Sequence, residues 1–323
     1  NYAQVSLTKQ RSLNLNHRLK WLIRYPYGCI EQTTSSVFPQ LYLGQLLDLD
    51  AKGIKEIDNN INSGIKRLRK FQLTKGGFSY WPNSNRASEW GTNYAGHFLI
   101  EAQKQGYNVP ADMFNSWLKY QKEQSKDKEG RRLTRAYRLY LLALADETLV
   151  SEMNYMRENE LKQMRTTAKY FLAGAYQQAG YEEVAQEIVS ELGFEVQEYR
   201  ETGGTYGSTL RDKAVILDIM TLFKNYDQGL AVYNDLAERL STDDWYSTQS
   251  TAYSLMAAAK YLGSIEDQKI EAEITTAAGV KKKVDSEEKM TAVKVTDSYG
   301  QEVVVKNNTS QPLFAAVEWE GIP

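Results

Sequence analysis

Apolar residues recur at helical spacing in separate blocks from about residue 12 to residue 263. Within each block they fall at positions i, i+3 or i+4, and i+7, which places them on one face of an amphipathic helix. Clusters of glycine, asparagine and other turn-forming residues separate the blocks. Representative blocks begin at Leu15, Leu133, Ala168, Ile216 and Ala252. The pattern predicts an all-helical region.

A run of threonines marks the predicted helix starts. They recur at intervals of 33 to 42 residues, which suggests stacked helical hairpins. These residues are Thr92, Thr134, Thr167, Thr209 and Thr248. Because the intervals vary and the repeats share little sequence, a closed α/α toroid of hairpins is favoured over a regular solenoid.

The pattern changes after Gly263, where apolar and polar residues begin to alternate over short stretches such as Ile270 to Ile274. Such alternation predicts short strands. A meander of about 55 residues is marginal as an independent sandwich, so we expect it to pack on the helices or to await strands from elsewhere in a parent chain. The predicted organisation is a mainly α domain over residues 1–265 and a β-rich segment over residues 266–323.

Charge and composition exclude several classes of protein. The 39 basic residues nearly balance the 41 acidic ones, which argues against a nucleic-acid partner. No run of about 18 apolar residues occurs, so we expect no direct membrane insertion by this segment. The chain starts at Asn1 without a leader and stops at Pro323 without a tail, so we expect an internal piece of a larger protein.

The single cysteine, Cys29, excludes an internal disulfide and a multi-cysteine metal site. A lone cysteine is most often a small core residue. Here it follows Pro26 and Gly28 at a predicted helix start, where the helix dipole stabilises negative charge on sulfur. Gln32 lies three residues further on, so its side chain shares a helix face with the sulfur. This spacing permits an internal thioester.

A thioester would form by attack of the Cys29 thiolate on the Gln32 side-chain amide, with loss of ammonia and without a cofactor. The bond is a stored electrophile that water hydrolyses, so it requires shielding by bulky apolar groups. Aromatic residues are available nearby in the sequence: Tyr25, Tyr27, Phe78, Tyr80, Trp81 and Trp90.

Two ionisable residues have competing interpretations. Glu31 could assist proton transfer beside the thiol, but a helix cap or a salt bridge explains a carboxylate in a first turn equally well. His97 lies on an apolar helix, where a core histidine is the commoner interpretation, although it could approach the thioester from another hairpin. With one cysteine and two histidines, none at ligand spacing, we expect no metal site.

The stretch from Pro26 to Gln32 resembles the thioester motif of the alpha-2-macroglobulin and complement family, and is similar in particular to the bacterial alpha-2-macroglobulins. Residues 76–81, 90–97 and 245–252 resemble further parts of the family's thioester-containing domain, in the same order. The resemblance implies a toroid of about six helical hairpins beside a CUB or macroglobulin-like β domain.

The resemblance also assigns roles to residues. It implies a reactive thioester at Cys29 and Gln32 and no catalytic residue in the strict sense. The roles it implies for other residues are motif support from Pro26, Tyr27, Gly28 and Glu31, and shielding or assistance from Tyr25, Trp81, Trp90 and His97.

The implied function is that of a broad-spectrum endopeptidase inhibitor, not an enzyme. Cleavage of a bait elsewhere in the parent would expose the thioester, which would then acylate an amine of the attacking protease. The implied partners are proteases and the remaining domains of the same polypeptide. The implied setting is the periplasm or the cell envelope of a bacterium, with a membrane-associated parent and a role resembling host defence.

Two departures from the family pattern bear on specificity. Ile30 occupies a position where vertebrate members usually have glycine, which suits the bacterial branch. Members that prefer hydroxyl acceptors carry a histidine in the region that aligns with Trp117 to Gln124, and no histidine occurs there. We therefore expect transfer to amines rather than to hydroxyls.

Two alternative functions remain open. The chain could be a non-reactive structural or binding module of a larger surface protein, in which Cys29 stays a free thiol. It could also be a glycoside-processing toroid enzyme, which needs two carboxylates flanking a sugar site. Asp243 and Asp244 near Trp245, or Glu89 beside Trp90, could serve that role, although a helix cap is the commoner explanation of such residues.

Overall fold

A computed structural model describes residues 2–8, 25–45, 50–242, 244–264, 269–287, 290–295, 301–309 and 313–320. The helical block predicted from Leu15 to Ile23 lies outside the described residues, as does Asp243. The chain divides into two compact units: a helical unit, Leu15–Ser264, and a strand unit made of Asn1–Asn14 and Ile265–Pro323.

The described part of the helical unit contains these α-helices: α1 Ile30–Val37, α2 Ala51–Leu68, α3 Glu89–Lys104, α4 Ala111–Gln124, α5 Arg132–Leu144, α6 Val150–Glu160, α7 Thr166–Gln178, α8 Glu182–Val189, α9 Thr209–Leu222, α10 Tyr226–Ser241 and α11 Thr248–Ser264. Short 3-10 helices cover Pro39–Gln45, Arg69–Phe71 and Leu161–Gln163. None of the helices in the described part is both long and apolar enough to cross a membrane.

The odd-numbered helices form a closed inner ring. Along the chain each contacts the next, and α11 returns to contact α1. The even-numbered helices pack outside, each against the inner helix that precedes it. The predicted α/α toroid of helical hairpins is thus confirmed.

Burial distinguishes the two layers. The inner helix α9 is buried continuously from Thr209 to Met220. The outer helix α2 buries one stripe, which includes Ile57, Ile61 and Ile65 at a spacing of four residues. An outer helix keeps its polar face in water, so its apolar stripe is the stronger sequence pattern.

The inner helices are parallel, so their N-terminal ends meet at one end of the ring. Asn93, in the first turns of α3, donates a hydrogen bond to the Thr134 carbonyl near the start of α5 at 2.9 Å. The threonines that mark predicted helix starts fall within the first four residues of α3, α5, α7, α9 and α11. This end of the ring is called the N-terminal end below, and the other the C-terminal end.

The strand unit contains two antiparallel sheets in the described residues. The strands are β1 Tyr2–Thr8, β2 Ile270–Thr276, β3 Lys281–Ser286, β4 Met290–Val295, β5 Val303–Asn307 and β6 Phe314–Glu320. Their orders are β4-β1-β6 and β3-β2-β5, and Val5 of β1 pairs with Val293 on one side and Val317 on the other. The short β-rich segment predicted after the helices is confirmed.

Strand β1 was not predicted. The sequence pattern predicts a helical domain over residues 1–265, whereas the structure groups Asn1–Asn14 with the strands. Val5 and Leu7 are fully buried in the core of the strand unit, beside Ile270 and Ile274. A seven-residue strand whose partners lie at the far end of the chain has no adjacent hairpin pattern to reveal it.

Candidate functional site

Cys29 is the N-cap residue of α1 and has an extended backbone, with φ −72° and ψ 176°. Its side chain is buried, and the residue is 2% exposed. Gly28 precedes it with φ at +83°, in the left-handed region that glycine adopts without a steric penalty. This conformation turns the chain sharply into the helix and places the sulfur at its first turn.

Gln32 is the N3 residue of α1, and it reaches back toward Cys29. Its side-chain oxygen Oε1 accepts a hydrogen bond from the Cys29 backbone N–H at 3.3 Å. Cys29 and Gln32 together form a capping box, in which each side chain faces the other residue's backbone N–H. A Cβ on Gly28 would lie 2.0 Å from this Oε1 atom, so the carboxamide occupies space that only glycine leaves open.

Arg67 of α2 fixes the backbone that leads into α1. Its Nη2 donates to the Gly28 carbonyl at 3.0 Å, and its Nε donates to the Thr33 hydroxyl at 3.2 Å. The Thr33 hydroxyl donates in turn to the Tyr27 carbonyl at 3.3 Å. The turn before Cys29 is therefore held by side chains from α1 and α2.

Tyr80 approaches the cysteine from the loop before α3. Its carbonyl accepts the Ile30 backbone N–H at 3.1 Å, so the loop is attached to the first turn of α1. Its hydroxyl lies 2.6 Å from the Tyr206 hydroxyl. Burial raises the pKa of Tyr80, and its interactions with Cys29 and Tyr206 raise it further. The sequence presents Tyr80 only as an available aromatic residue, and no sequence pattern points to Tyr206.

Glu31 points away from the sulfur and ties α1 to α11. Its Oε1 accepts hydrogen bonds from the hydroxyls of Ser35 and Thr248, each at 2.9 Å. Burial raises the pKa of Glu31, and the hydrogen bonds oppose that shift. Among the described residues no ion pair involves Glu31, so its observed partners are neutral hydroxyl and backbone groups.

Trp90 is buried at the start of α3, next to a buried cation. The Arg211 guanidinium carbon lies 4.6 Å from the centroid of the Trp90 ring, within cation–π range. Arg211 also donates to Asp212 Oδ1 at 2.6 Å. Trp90 therefore packs in the interior at the N-terminal end of the ring.

The other aromatic residues expected to shield the sulfur are largely exposed. Tyr25 is 47% exposed and Tyr27 is 67% exposed, and their ring centroids lie 4.8 Å apart. Trp81 is 53% exposed and meets the Tyr80 ring edge-on at 5.6 Å. The motif residue Pro26, which lies between these two tyrosines in the sequence, is buried. Gln32 is also exposed, so within the Cys29–Gln32 pair the cysteine is the better shielded from solvent.

The structure places His97 away from Cys29. The His97 ring contacts Phe38 at 5.0 Å, and Phe38 follows Cys29 by nine residues, about 13 Å along a helix axis. Its Nδ1 hydrogen-bonds the Tyr137 hydroxyl at 2.8 Å. Burial lowers the pKa of His97 to about 4, although the nearby Glu101 carboxylate opposes that shift. These contacts describe a neutral histidine in the core.

His97 belongs to a group of charged and polar residues toward the C-terminal end of the ring, called the C-terminal cluster here: His97, Glu101, Asp218 and Lys260. The Lys260 Nζ lies 2.7 Å from Asp218 Oδ1 and 3.9 Å from Glu101 Oε1. A cavity of about 420 Å³ opens beside them. Among the described residues no group of histidine, cysteine and acidic side chains has the arrangement of a metal site.

The carboxylates proposed for a glycosidase do not form a described pair. Asp243 lies outside the described residues. Asp244 accepts a hydrogen bond from the nearby Thr242 hydroxyl at 3.0 Å. Trp245 is 67% exposed, with the Arg200 guanidinium 4.2 Å from its ring centroid. These contacts are local ones at the start of α11.

Residues 4–134 match the family model described as the A-macroglobulin TED domain. The chain is 27% identical to the alpha-2-macroglobulin of Escherichia coli strain K12, across 99% of this chain and 20% of that protein. It is 25% identical to the alpha-2-macroglobulin of Rickettsia conorii, across 81% of this chain and 14% of that protein. The chain thus spans a fifth or less of the length of these curated relatives.

Solved structures agree over nearly the whole chain. Native alpha-2-macroglobulin from Escherichia coli, spanning domain MG7 to the C-terminus, matches with a TM-score of 0.72 and 25% identity, over 98% of this chain and 52% of that one. Salmonella alpha-2-macroglobulin reacted with methylamine matches with a TM-score of 0.73 and 25% identity, over 98% of this chain and 21% of that one.

Proposed function

We propose that Cys29 and Gln32 form an internal thioester that serves as the reactive group of a protease trap, since this chain matches the thioester-domain region of alpha-2-macroglobulin-type proteins. The observation that carries the proposal is the capping box. Gln32 Oε1 accepts the Cys29 N–H at 3.3 Å, so the carboxamide already lies against the residue whose sulfur must attack it.

Formation of the thioester and its later cleavage by an amine are both balanced reactions that need no cofactor. The Cys29 thiolate attacks Gln32 Cδ, a carbon–sulfur bond forms, and ammonia leaves with the proton of the thiol. In the second step an amine attacks the same carbon, a carbon–nitrogen bond forms, and the carbon–sulfur electron pair returns to sulfur. The proton lost by the amine passes to solvent. Each molecule reacts once, which is inhibitor chemistry rather than turnover.

In the parent protein the trap would work by exposure. A protease cleaves a bait outside this chain, the parent changes shape, and a surface lysine of that protease reaches Gln32 Cδ. The partners proposed are therefore proteases and the other domains of the same polypeptide, in the periplasm or attached to the cell envelope. The exposed Gln32 side chain supports attack on the carbon from the solvent side.

Amines are the proposed acceptors. No histidine occurs between Trp117 and Gln124, the region where hydroxyl-preferring relatives carry one. The Salmonella relative is described as having reacted with methylamine, an acceptor of this class.

Intact mass tests the proposal directly. The chain with a thioester is lighter than the encoded sequence by about 17 Da, the mass of ammonia, and its Cys29 resists alkylation. Methylamine then adds about 31 Da and releases a thiol that iodoacetamide modifies. Gln32→Ala is the matched control, because it keeps the thiol and removes the acyl partner. A full-mass wild-type chain with a freely alkylated thiol would instead favour the non-reactive binding module.

A further inference from the structure

We propose that the backbone N–H of Cys29 is the oxyanion donor of this site, and that Arg67 is the positioning residue that directs this N–H at Gln32 Oε1. The inference rests on the proposed function for its role in amine transfer. The arrangement of the three groups can be measured whether or not a thioester has formed.

Gln32 Oε1 is the atom on which negative charge develops. It stays bonded to Gln32 Cδ in the carboxamide, in the thioester and in the final amide. Attack on Cδ by sulfur or by an amine moves the carbon–oxygen π electrons onto Oε1. The Cys29 N–H already donates to this oxygen at 3.3 Å. A hydrogen bond to an anionic oxygen is shorter and stronger than one to a neutral amide, so it stabilises the intermediate more than the ground state.

Arg67 binds the opposite side of the same peptide group. The Cys29 N–H and the Gly28 carbonyl belong to one planar amide and point in opposite directions. Arg67 Nη2 donates to that carbonyl at 3.0 Å. A cation at the carbonyl oxygen polarises the amide, which makes its N–H a stronger donor, and the bond also fixes the plane of the peptide. The guanidinium therefore acts on Gln32 Oε1 through the peptide group.

The guanidinium is itself held in place. Arg67 Nε donates to the Thr33 hydroxyl at 3.2 Å, and that hydroxyl donates to the Tyr27 carbonyl at 3.3 Å. The guanidinium carbon also lies 5.7 Å from the centroid of the Phe71 ring. Arg67 and Thr33 thus fix the peptide groups on both sides of Gly28, where φ is +83°. A donor fixed before the reaction needs no reorganisation when charge develops.

Neighbouring groups of the first turn are engaged elsewhere. The Ile30 N–H donates to the Tyr80 carbonyl at 3.1 Å, and the Glu31 carboxyl accepts from hydroxyl groups on α1 and α11. Gln32 is exposed, so water supplies further hydrogen bonds to the oxyanion. Loss of the alignment by Arg67 should therefore slow the reaction without abolishing it.

The transfer step is balanced with the N–H as a donor only. As the amine forms its bond to Gln32 Cδ, the π electrons move onto Oε1. When they return, the carbon–sulfur bond breaks and its electron pair moves onto sulfur. The amine proton goes to water, and the Cys29 N–H keeps its own proton throughout.

Arg67→Met tests the positioning by its effect on rates. On the fraction of chain that carries the thioester, methylamine should release the Cys29 thiol about tenfold more slowly, and hydrolysis by water should slow by about the same factor. A merely structural role predicts the opposite sign, because a loosened site admits amine and water more readily. Faster or unchanged rates would overturn the inference.

Two further variants make the comparison specific. Arg67→Lys keeps the charge but lacks the planar fork that binds the Gly28 carbonyl and Thr33 together, so it should slow both reactions about threefold. Arg69→Met is the matched control, because Arg69 binds Asp112 through two hydrogen bonds of 2.7 Å. It should leave both rates unchanged. An equal loss in Arg69→Met would assign the effect to net charge and overturn the role of Arg67.

Hydrogen exchange of the Cys29 N–H tests the same alignment without a thioester. Cys29 is the single cysteine, so a chain labelled with 15N-cysteine gives one backbone amide signal. After methylamine treatment residue 32 carries an amide whether or not a thioester had formed. Arg67→Met should then speed exchange about tenfold in the chain with Gln32, and much less in the Gln32→Ala chain, where the N–H has lost this acceptor.

Equal acceleration in the two chains would mean that Arg67 only holds the backbone, and would overturn the inference. A wild-type chain without the ammonia mass loss rejects the proposed thioester alone, and the exchange measurement still decides the role of Arg67. A wild-type chain with the mass loss, combined with Arg67 variants that react at the wild-type rate, rejects this inference alone.

Discussion

Two buried carboxyl groups, at opposite ends of the helical ring, have different surroundings. Near Cys29, the carboxyl of Glu31 has a raised pKa because burial is opposed only by hydrogen bonds from neutral groups. In the C-terminal cluster the carboxyl of Glu101 has its pKa lowered to about 2: burial opposes ionisation, but the fields of Lys260 and His97 prevail.

This difference distinguishes a site suited to a chemical reaction, around Cys29, from a cluster of permanent charges at the other end of the ring. The N-terminus of α1, where Cys29 lies, favours negative charge that develops on sulfur only during a reaction. A buried ion cluster carries its charges permanently and acts on stability instead. We therefore expect substitutions at the N-terminal end to change thiol chemistry, and substitutions in the C-terminal cluster to change the free energy of unfolding.

The largest expected effect is from Gly28→Ala. The added Cβ would lie 2.0 Å from Gln32 Oε1, so the carboxamide must leave its position against Cys29. A displacement of this size should reduce thioester formation by about 100-fold or more, as measured by the fraction of chain that shows the mass loss.

Gly180→Ala is the matched control for Gly28→Ala. Gly180 has a φ of +82°, almost the value at Gly28, but a Cβ there meets nothing within 4 Å. The two variants share the backbone strain and differ in the contact with Gln32. If both lose the thioester equally, strain and not displacement of the carboxamide is the cause.

The second effect concerns the C-terminal cluster. Lys260→Met should lower the free energy of unfolding by about 3 kcal/mol, because the buried carboxylates of Asp218 and Glu101 then lose a cation. Lys104→Met removes a cation 3.8 Å from Glu101 on a side chain that is 47% exposed, and should cost less than about 1 kcal/mol. Urea denaturation measures both, and equal losses would contradict a buried network.

A third effect is the pH dependence that His97 imposes. Burial lowers its pKa to about 4 from an unfolded value of 6.5, so below pH 6.5 the unfolded chain takes up the proton more readily. The stability is fully present above pH 6.5 and falls by about 3 kcal/mol as the pH approaches 4. His97→Gln should flatten this part of the profile in urea denaturation. A slope that persists in the variant would assign the titration to another group.

Local features of the site were predictable from sequence. The spacing of Cys29 and Gln32 depends only on helix geometry, and the threonines at the inner helix starts follow from the same period. The contacts around them depend on closure of the ring. Tyr80 and Tyr206 are 126 residues apart, and Glu31 and Thr248 are 217 residues apart. No periodic pattern in one segment reports such a pairing.

The depth at which a residue lies within the ring could not be predicted from the sequence either. The sequence showed that His97 lies on an apolar helix, but its distance from Cys29 depends on how far α3 extends beside α1. Strand β1 was missed for a related reason, since Val5 pairs with Val293 and Val317 near the other end of the chain. Tertiary pairing, not local propensity, decides these positions.

The smallest expected effect compares two isosteric substitutions. Glu31→Gln should change the free energy of unfolding by less than about 0.5 kcal/mol at pH 7, because the amide oxygen still accepts from Ser35 and Thr248 and no buried cation loses a partner. Glu101→Gln should cost about 2 kcal/mol, because it removes an ionised carboxylate whose pKa is held at about 2.

Urea denaturation of the two variants at pH 7 decides whether the ends of the ring differ as argued. Both carboxyls are buried on α-helices of the inner ring, at 7% and 6% exposure, so burial alone predicts equal losses. A loss from Glu31→Gln as large as that from Glu101→Gln would mean that Glu31 is ionised and balanced by a cation. The surroundings of Glu31 would then also store charge, and the difference drawn between the two carboxyl groups would be wrong.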